Sequence, residues 1–295
     1  MVRQPAVLQR VASVLGQQPL EWQRPECGLS TAERWVTRLA GDSSVFVKAA
    51  TDADTAAWLE TERDAVAAAG DRFAPRVIAW LDDDLYPVLV TEDLSGAYWP
   101  AGTGTVHWRS GDSAAVLSDL EQLSAVPPGE LPTIDDPPRR WAELLATDVL
   151  SRAGLCTDSW IANNGSALVS ADRLPIVIDR PSLVHGDVRS DNLCIIPDGT
   201  VRFVDWAQAG AGHPRWDLVN FLPTLHLEGG PAPATVLTEP IGLITRLAGC
   251  GVARAVCQPD GPEWLRTVLL QLAKINLEWV SSILGVEPPD GRTAA

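Results

Sequence analysis

The stretch from Leu183 to Gly210, LVHGDVRSDNLCIIPDGTVRFVDWAQAG, is the feature that most constrains this chain. Two short apolar runs, Leu193 to Ile196 and Val201 to Val204, flank the turn signal Pro197-Asp198-Gly199. This order is typical of a β-hairpin. Polar side chains that can do chemistry precede and follow the runs: His185, Asp187, Asn192 and Asp205. The sequence therefore predicts a hairpin with a carboxylate-bearing loop at each end.

These polar residues suit a site that holds a divalent metal and accepts a proton from a hydroxyl. Asn192 follows Asp187 by five residues, and Asp205 comes thirteen residues after Asn192. Carboxylate and carboxamide oxygens are the hard ligands that magnesium prefers, and a carboxylate can act as a general base. Taken alone, the same set would equally serve a hydrolase or a calcium site.

The composition narrows the class of protein. A chain of 295 residues can form one large domain or two lobes, and 46% hydrophobic with 21% charged residues is typical of a globular fold. The formal net charge of -15 argues against nucleic-acid binding, because affinity for a phosphate backbone comes mainly from Lys and Arg. An acidic protein is compatible with cationic small molecules as partners.

Cysteine usage and hydropathy bear on the compartment. The five cysteines form no CxxC pair, which predicts a reduced, cytoplasmic setting and argues against a zinc site. No run of about 18 apolar residues is available to span a membrane. Arg3 and Arg10 interrupt the first apolar segment, so the pattern does not predict a signal peptide.

Lys48 is one of only two lysines, and it ends the predicted strand Val45 to Val47. A lysine in that position is most often simply solvated. The following segment, Asp54 to Ala69, predicts a helix on which Glu62 shares an apolar face with Leu59 and Val66. A glutamate on a buried face needs a cationic partner, and Lys48 is the obvious candidate.

Strand patterns dominate residues 1–94, and helical patterns dominate residues 95–295, which predicts two lobes with that boundary. In the first part, the turn from Gly28 to Glu33 could offer backbone amides to a phosphate, although a plain hairpin turn has the same composition. The triple aspartate at 82–84 is better explained as a solvated turn than as a metal cluster. Trp99 and Trp108 could line a pocket, with core packing as the alternative. Helices are predicted at 6–15, 110–126, 139–153, within 160–178, and at 216–225, 234–247 and 262–284.

Phosphoryl transfer from a nucleotide would use all of these features together. It requires a metal to bridge the phosphates, a lysine to hold them and a carboxylate to orient the attacking hydroxyl. The hairpin residues supply the metal ligands and the base, and Lys48 held by Glu62 supplies the phosphate clamp. Each feature is ambiguous alone, and their joint order in one chain favours a kinase.

The motif His185-Gly186-Asp187 to Asn192, followed by Val204-Asp205-Trp206, resembles the catalytic loop and metal-binding segment of the aminoglycoside phosphotransferase and choline kinase-like family of small-molecule kinases. The likeness extends over most of the chain, including Lys48, Glu62, the Thr91 to Leu94 hinge and the Trp216-Asp217-Leu218 segment.

The resemblance implies an α+β, protein kinase-like bilobal fold, with a β-rich N-lobe and a mainly helical C-lobe. It implies Mg²⁺ and ATP as cofactors, with GTP possible. Independently of the resemblance, we expect a cytoplasmic monomer or homodimer. The resemblance also implies a role for each matching residue. The catalytic base would be Asp187, the magnesium ligands Asn192 and Asp205, the phosphate-binding residue Lys48, the holder of the nucleotide base the backbone of Glu92, Asp93 and Leu94, and the brace of the loop His185. We further expect Glu62, Ser30 and Thr31 at the nucleotide site and Asp217 as a supporting residue.

Two departures from protein kinases indicate a small acceptor. The turn after Gly28 lacks a G-x-G-x-x-G pattern, and only eleven residues separate Asp205 from Asp217, too few for an activation loop. We therefore expect transfer to a hydroxyl of a cationic small molecule, such as an aminoglycoside, another basic antibiotic, an amino sugar or an amino alcohol. The acids Glu228, Glu263 and Glu278 could receive it, although any one of them could be a solvated surface group. A nucleotide-binding pseudokinase is the alternative.

Overall fold

The structure, a computed structural model, describes residues 5–25, 31–82, 86–102, 104–257 and 262–291. It consists of two compact units. The first contains Met1–Thr133 and Pro181–Pro214, and the second contains Ile134–Arg180 and Arg215–Ala295. All strands formed by the described residues belong to the first unit, and the second is helical. The lobe boundary predicted at residue 94 divides the chain differently and stays a prediction.

A five-stranded antiparallel sheet forms the N-terminal part of the first unit, with the order β1-β2-β3-β5-β4. Its strands are β1 (Glu21–Gln23), β2 (Glu33–Arg38), β3 (Ser44–Ala49), β4 (Val77–Leu81) and β5 (Val88–Glu92). The sequence patterns at 35–39, 45–47, 76–81 and 87–91 predict four of these strands, and the structure confirms them within two residues at each end.

The sheet is covered on both faces, which explains the alternation in β3. Helix α1 (Ala6–Leu15) packs its apolar residues against one face, where Val45 and Val47 are buried. Helix α2 (Ala53–Phe73) places Leu59 in a second apolar cluster, with Leu89 from the opposite face. Because side chains alternate along a strand, Lys48, paired with Leu89 in the sheet, points to the α2 face.

A capping box begins helix α2 and so sets the position of Glu62. The Asp52 carboxylate accepts a hydrogen bond from Thr55 N at 2.8 Å, and the Thr55 hydroxyl receives the Asp52 N–H at 3.0 Å. Such reciprocal bonds satisfy two of the orphan amides at a helix start. Gly70, at φ 66°, interrupts the helical geometry near the other end.

The predicted hairpin is confirmed and belongs to the same unit as the sheet. Strands β7 (Leu193–Ile195) and β8 (Val201–Phe203) pair antiparallel, and a second pair is formed by β6 (Ser182–Val184) and β9 (Gly210–Gly212). Tyr98 and Ile195 exchange backbone hydrogen bonds of 2.9 and 2.8 Å. Helix α3 (Asp112–Leu123) lies within the predicted 110–126 segment. The Arg72–Asp119 ion pair links α2 to α3.

The second unit contains seven helices within its described residues. They are α4 (Trp141–Leu145), α5 (Val149–Arg152), α6 (Asp158–Asp172), α7 (Trp216–Leu227), α8 (Pro233–Val236), α9 (Ile241–Cys257) and α10 (Glu263–Leu284). None of the helices formed by the described residues is long and apolar enough to cross a membrane.

The prediction of a continuous helix was wrong for two segments. The segment 139–153 is broken between α4 and α5, where the Thr147 hydroxyl bonds the Leu144 carbonyl and so competes with the helical backbone. The segment 234–247 is broken between α8 and α9, where Pro240 has no N–H for a helical bond. Apolar periodicity continued through both breaks and concealed them.

Candidate active site

Lys48 lies between two carboxylates. Its Nζ is 2.5 Å from Glu62 Oε2 and 2.6 Å from Asp205 Oδ1. Lys48 and Glu62 are each 7% exposed, so the solvated strand-end lysine was the wrong alternative and the predicted Lys48–Glu62 pair is present. The second partner, Asp205, brings the end of the hairpin to the face of the sheet.

The opposite charges favour the ionised forms of Lys48 and Asp205, whereas burial raises the pKa of Glu62 above its usual value even beside Lys48. Burial alone would lower the pKa of Lys48, but the two carboxylates outweigh it and raise that pKa above its usual range. Burial alone would raise the pKa of Asp205, but Lys48 holds it below the ordinary value. Removing one partner of such a buried pair leaves an uncompensated charge, at a cost of about 3–5 kcal/mol.

Asp205 adopts a strained backbone conformation. Among the described residues it is the one non-glycine residue with a positive φ, at 63°, and it precedes a short 3₁₀ turn at Trp206–Gln208. Strain of this kind costs of the order of 1–3 kcal/mol and concentrates at functional sites. The fully buried Trp206 anchors the turn, because its Nε1 donates to Phe203 O at 2.8 Å.

His185 connects the loop that carries Asp187 to the end of strand β8. The buried ring of His185 bonds the Val204 carbonyl through Nε2 at 3.0 Å, and its Nδ1 accepts a hydrogen bond from Asp187 N at 3.3 Å. The ring also lies 4.4 Å from the Trp206 ring, centroid to centroid. Burial lowers the pKa of His185 to about 4, so the ring is neutral at physiological pH. Neutral imidazole with these two bonds positions the loop and carries no charge into it.

Asn192 connects the loop to the carboxylate of Asp187. Its Nδ2 donates to Asp187 O at 2.9 Å and to Asp187 Oδ2 at 3.0 Å. Burial raises the pKa of Asp187 above its usual value, while Arg189 and Asn192 act in the opposite direction. Asp187 Oδ1 accepts no hydrogen bond from any residue that the structure describes, so it is the oxygen able to receive a proton from a hydroxyl.

Arg189 places a cation beside Asp187, an arrangement that the sequence patterns did not predict. Its guanidinium binds both Asp191 oxygens, at 3.0 and 3.2 Å, and its Nη2 lies 3.7 Å from Asp187 Oδ2. The three residues follow one another at intervals of two in the loop. Alternating charge at this spacing is the signal that could have identified the arrangement.

The residues at the hairpin ends fit a magnesium ion held jointly with phosphates. In the described part of the chain, no group of three or more His, Cys, Asp or Glu side chains could hold a metal. Asn192 Oδ1 and Asp205 Oδ2 take part in no hydrogen bond with a described residue, and both are hard oxygen donors. Magnesium is commonly bound by one or two such side chains together with substrate phosphates. Asn192 and Asp205 could therefore hold it.

The hinge residues Glu92, Asp93 and Leu94 follow β5. The Asp93 carboxylate accepts hydrogen bonds from the hydroxyls of Ser44, at 2.6 Å, and Ser95, at 2.9 Å. The Leu94 carbonyl accepts from Trp99 Nε1 and from Ala97 N, both at 3.0 Å. The N–H groups of Asp93 and Leu94 donate to no described residue, which leaves them available to a ligand.

The remaining predicted residues are less informative. Ser30 lies outside the described residues, as do the other two residues of the first half of the turn from Gly28 to Glu33 and two of the three aspartates at 82–84. The Thr31 hydroxyl donates to Asp52 Oδ2 at 3.1 Å. Asp217 is buried in the first turn of α7, in the second unit. The proposed roles of these residues stay predictions.

A model of the family described as "Phosphotransferase enzyme family" matches residues 21–239 of this chain. No curated protein sequence matches the chain at a significant level.

Solved structures with the same fold include three phosphotransferases. A spectinomycin phosphotransferase, crystallised with ADP and spectinomycin, is 14% identical with a TM-score of 0.55, covering 96% of this chain and 98% of that one. A macrolide 2'-phosphotransferase from Brachybacterium faecium is 15% identical with a TM-score of 0.53, covering 97% and 98%. A choline kinase from Streptococcus pneumoniae is 14% identical with a TM-score of 0.53, covering 92% and 97%. These likenesses confirm the predicted α+β, kinase-like fold.

Proposed function

The chain belongs to the phosphotransferase enzyme family, and from that premise we propose that it transfers the γ-phosphoryl group of ATP, or of GTP, to a hydroxyl of a small, cationic acceptor. The observation that carries the proposal is the Lys48 ion pair with both Glu62 and Asp205. It places Lys48, the proposed phosphate-binding cation, against Asp205, the proposed metal ligand. The loop that carries Asp187 belongs to the same compact unit.

Each residue has a task that its contacts support. Glu62 keeps Lys48 charged and oriented, so that the ammonium can bind the α- and β-phosphates. The N–H groups of Asp93 and Leu94 are available to the nucleotide base. Asn192 and Asp205 would hold magnesium, which when bound neutralises charge on the phosphates. His185 holds the loop without taking part in the chemistry.

Asp187 would act as the base through Oδ1. The acceptor hydroxyl donates its proton to this oxygen while its own oxygen bonds to the γ-phosphorus. The bond from that phosphorus to the β–γ bridging oxygen breaks, and the nucleoside diphosphate leaves with the electron pair. The second carboxylate oxygen, Oδ2, is held by Asn192, so the base has one fixed oxygen and one available oxygen.

Three features support a small cationic acceptor. The net charge of -15 favours the approach of cations. The interval from Asp205 to Asp217 leaves no room for a protein-substrate platform. Proteins of the same fold are named as acting on spectinomycin and choline. A monomer or homodimer in the cytoplasm stays our prediction.

The test is nucleotide-diphosphate release with ATP or GTP and magnesium, against aminoglycosides, other basic antibiotics, amino sugars and amino alcohols. We expect turnover with at least one acceptor and its loss in Asp187→Asn, which keeps the shape but not the basicity. Asp198→Asn, in the exposed turn of the same hairpin, is the matched control and should retain activity. Tight nucleotide binding without turnover on any compound would instead support a pseudokinase.

A further inference from the structure

Arg34 lies opposite Lys48 on the neighbouring strand. The register of β2 and β3 pairs these two residues directly, and directly opposed residues of an antiparallel pair project to the same face, with Cβ atoms roughly 4.5–5.5 Å apart. This is the α2 face, which also carries Glu62. Arg34 is 7% exposed, as buried as Lys48 itself. The α2 face of the sheet therefore carries two adjacent buried cations.

Such a pair requires anions nearby. Like charges directly opposite each other destabilise a sheet, and a buried guanidinium is costly unless it is paired. The Arg34 charge acts on both carboxylates of the cluster and favours the ionised forms of Glu62 and Asp205. Two cations thus share two carboxylates. If Asp205 binds a metal ion, its carboxylate neutralises less of the positive charge of Lys48 and Arg34. The two cations can then bind a further anion.

Arg34 is also tied to the segment that precedes β2. Its Nη1 donates to the Ala32 carbonyl at 3.0 Å, and β2 begins at Glu33. The small-residue composition of the turn from Gly28 to Glu33, which leads into β2, is compatible with phosphate binding through backbone amides. A guanidinium has five N–H donors in a planar fork that matches phosphate oxygens. It can therefore hold a loop carbonyl and a phosphate at the same time.

We infer that Arg34 is a second phosphate-binding side chain of the nucleotide site, acting beside Lys48. This inference rests on the proposed function, because it presupposes a nucleotide whose phosphates reach Lys48. The alternative is that Arg34 only stabilises the start of β2 through the Ala32 carbonyl. The two roles differ in which ligands respond, since only the first depends on phosphate.

The experiment measures the binding of ATP, ADP and adenosine, each with magnesium and without acceptor, by titration calorimetry. The variants are Arg34→Gln and Arg34→Lys. The control is Arg38→Gln, because Arg38 is on the same strand and the same face, but is exposed and paired with Glu21. We expect Arg34→Gln to weaken ATP and ADP about tenfold or more, as for the loss of a hydrogen bond to a charged group. Adenosine binding should be unchanged, Arg34→Lys should recover part of the loss, and Arg38→Gln should match the wild type.

Two results would overturn the inference. In one, Arg34→Gln binds all three ligands like the wild type. In the other, its affinity for ATP, ADP and adenosine falls in equal proportion and its melting temperature falls. That result would show that Arg34 only stabilises the start of β2. If Arg34→Gln does not fold, the comparison of phosphorylated ligands with adenosine is made on Arg34→Lys. These binding measurements contain no acceptor, so they do not depend on turnover. A failure to find turnover in the acceptor assay would count against the proposed function alone. A wild-type protein that binds no nucleotide would refute both the proposed function and the role of Arg34.

Discussion

Asn192 uses a single amide nitrogen to bind two oxygens of Asp187. Its Nδ2 donates to the main-chain carbonyl and to the carboxylate Oδ2, at 2.9 and 3.0 Å. The Oδ1 atom of Asn192 forms no hydrogen bond with any residue in the described ranges. Asn192 therefore orients the Asp187 carboxylate with its nitrogen and keeps its amide oxygen available, which suits both tasks that we propose for it: support of the base and binding of the metal.

These two tasks separate in Asn192→Asp, which keeps an oxygen ligand but replaces the donor by a carboxylate facing Asp187. We expect kcat/KM to fall about 10- to 100-fold, the usual effect of losing a supporting bond at a metal site. The magnesium concentration needed for half-maximal activity should change little in this variant and should rise in Asn192→Ala. Steady-state rates over a magnesium series measure both quantities. Wild-type kcat/KM in Asn192→Asp would show that the Nδ2 bonds are dispensable.

Arg189 should set the acid limb of the pH profile. Burial raises the pKa of Asp187, and the nearby guanidinium lowers it. Without that cation the neutral acid is favoured further, so in Arg189→Gln the pKa of Asp187 rises. A base works only when deprotonated, and the fall of kcat/KM on acidification should therefore begin at higher pH. Measurement of kcat/KM against pH tests this, with Arg38→Gln as the control. An unshifted or oppositely shifted limb would contradict it.

His185 should make the protein acid-sensitive. Its pKa is lowered to about 4 by burial, whereas an unfolded histidine has a pKa near 6.5. Between these values the unfolded state binds more protons, so stability is lost as pH falls through that window. The shift corresponds to about 3 kcal/mol.

His185→Gln should flatten this part of the stability profile, even if it lowers stability at neutral pH by loosening the loop. Urea unfolding between about pH 7 and pH 4 measures the difference. The exposed His107→Gln is the control and should keep the wild-type slope. The same slope in His185→Gln as in the wild type would show that another group is responsible.

Gly186 and Gly199 allow backbone strain to be separated from a steric clash. Both have positive φ, 83° and 87°, but a Cβ on Gly186 would lie 2.3 Å from Gln208 O, whereas one on Gly199 would meet nothing within 4 Å. Gly199→Ala should therefore cost only the conformational penalty of roughly 1–2 kcal/mol. Gly186→Ala should cost more and abolish turnover, because the loop before Asp187 must move. Thermal melts and activity assays check this, and equal losses of stability in the two variants would refute it.

Local patterns in the sequence were enough to predict most of the helices and strands. Alternation in VFVK predicted a strand with Lys48 on the face opposite Val45 and Val47, and helical spacing placed Glu62 on the buried face of the next helix. The turn Pro197-Asp198-Gly199 predicted the hairpin. The two helix breaks were missed, because a side chain competing for a carbonyl and an isolated proline leave the apolar spacing intact.

The chemistry of the site was predictable as a set of residue types, because phosphoryl transfer needs a lysine, a carboxylate base and oxygen ligands for metal. The sequence by itself therefore determined the family and the group of residues around Lys48 and Asp187. The tertiary structure decided which of them touch: that Lys48 binds Asp205 as well as Glu62, and that Arg34 is a buried neighbour of Lys48. Strand register, burial and ion pairing arise from contacts between residues distant in sequence, and no local spacing encodes them.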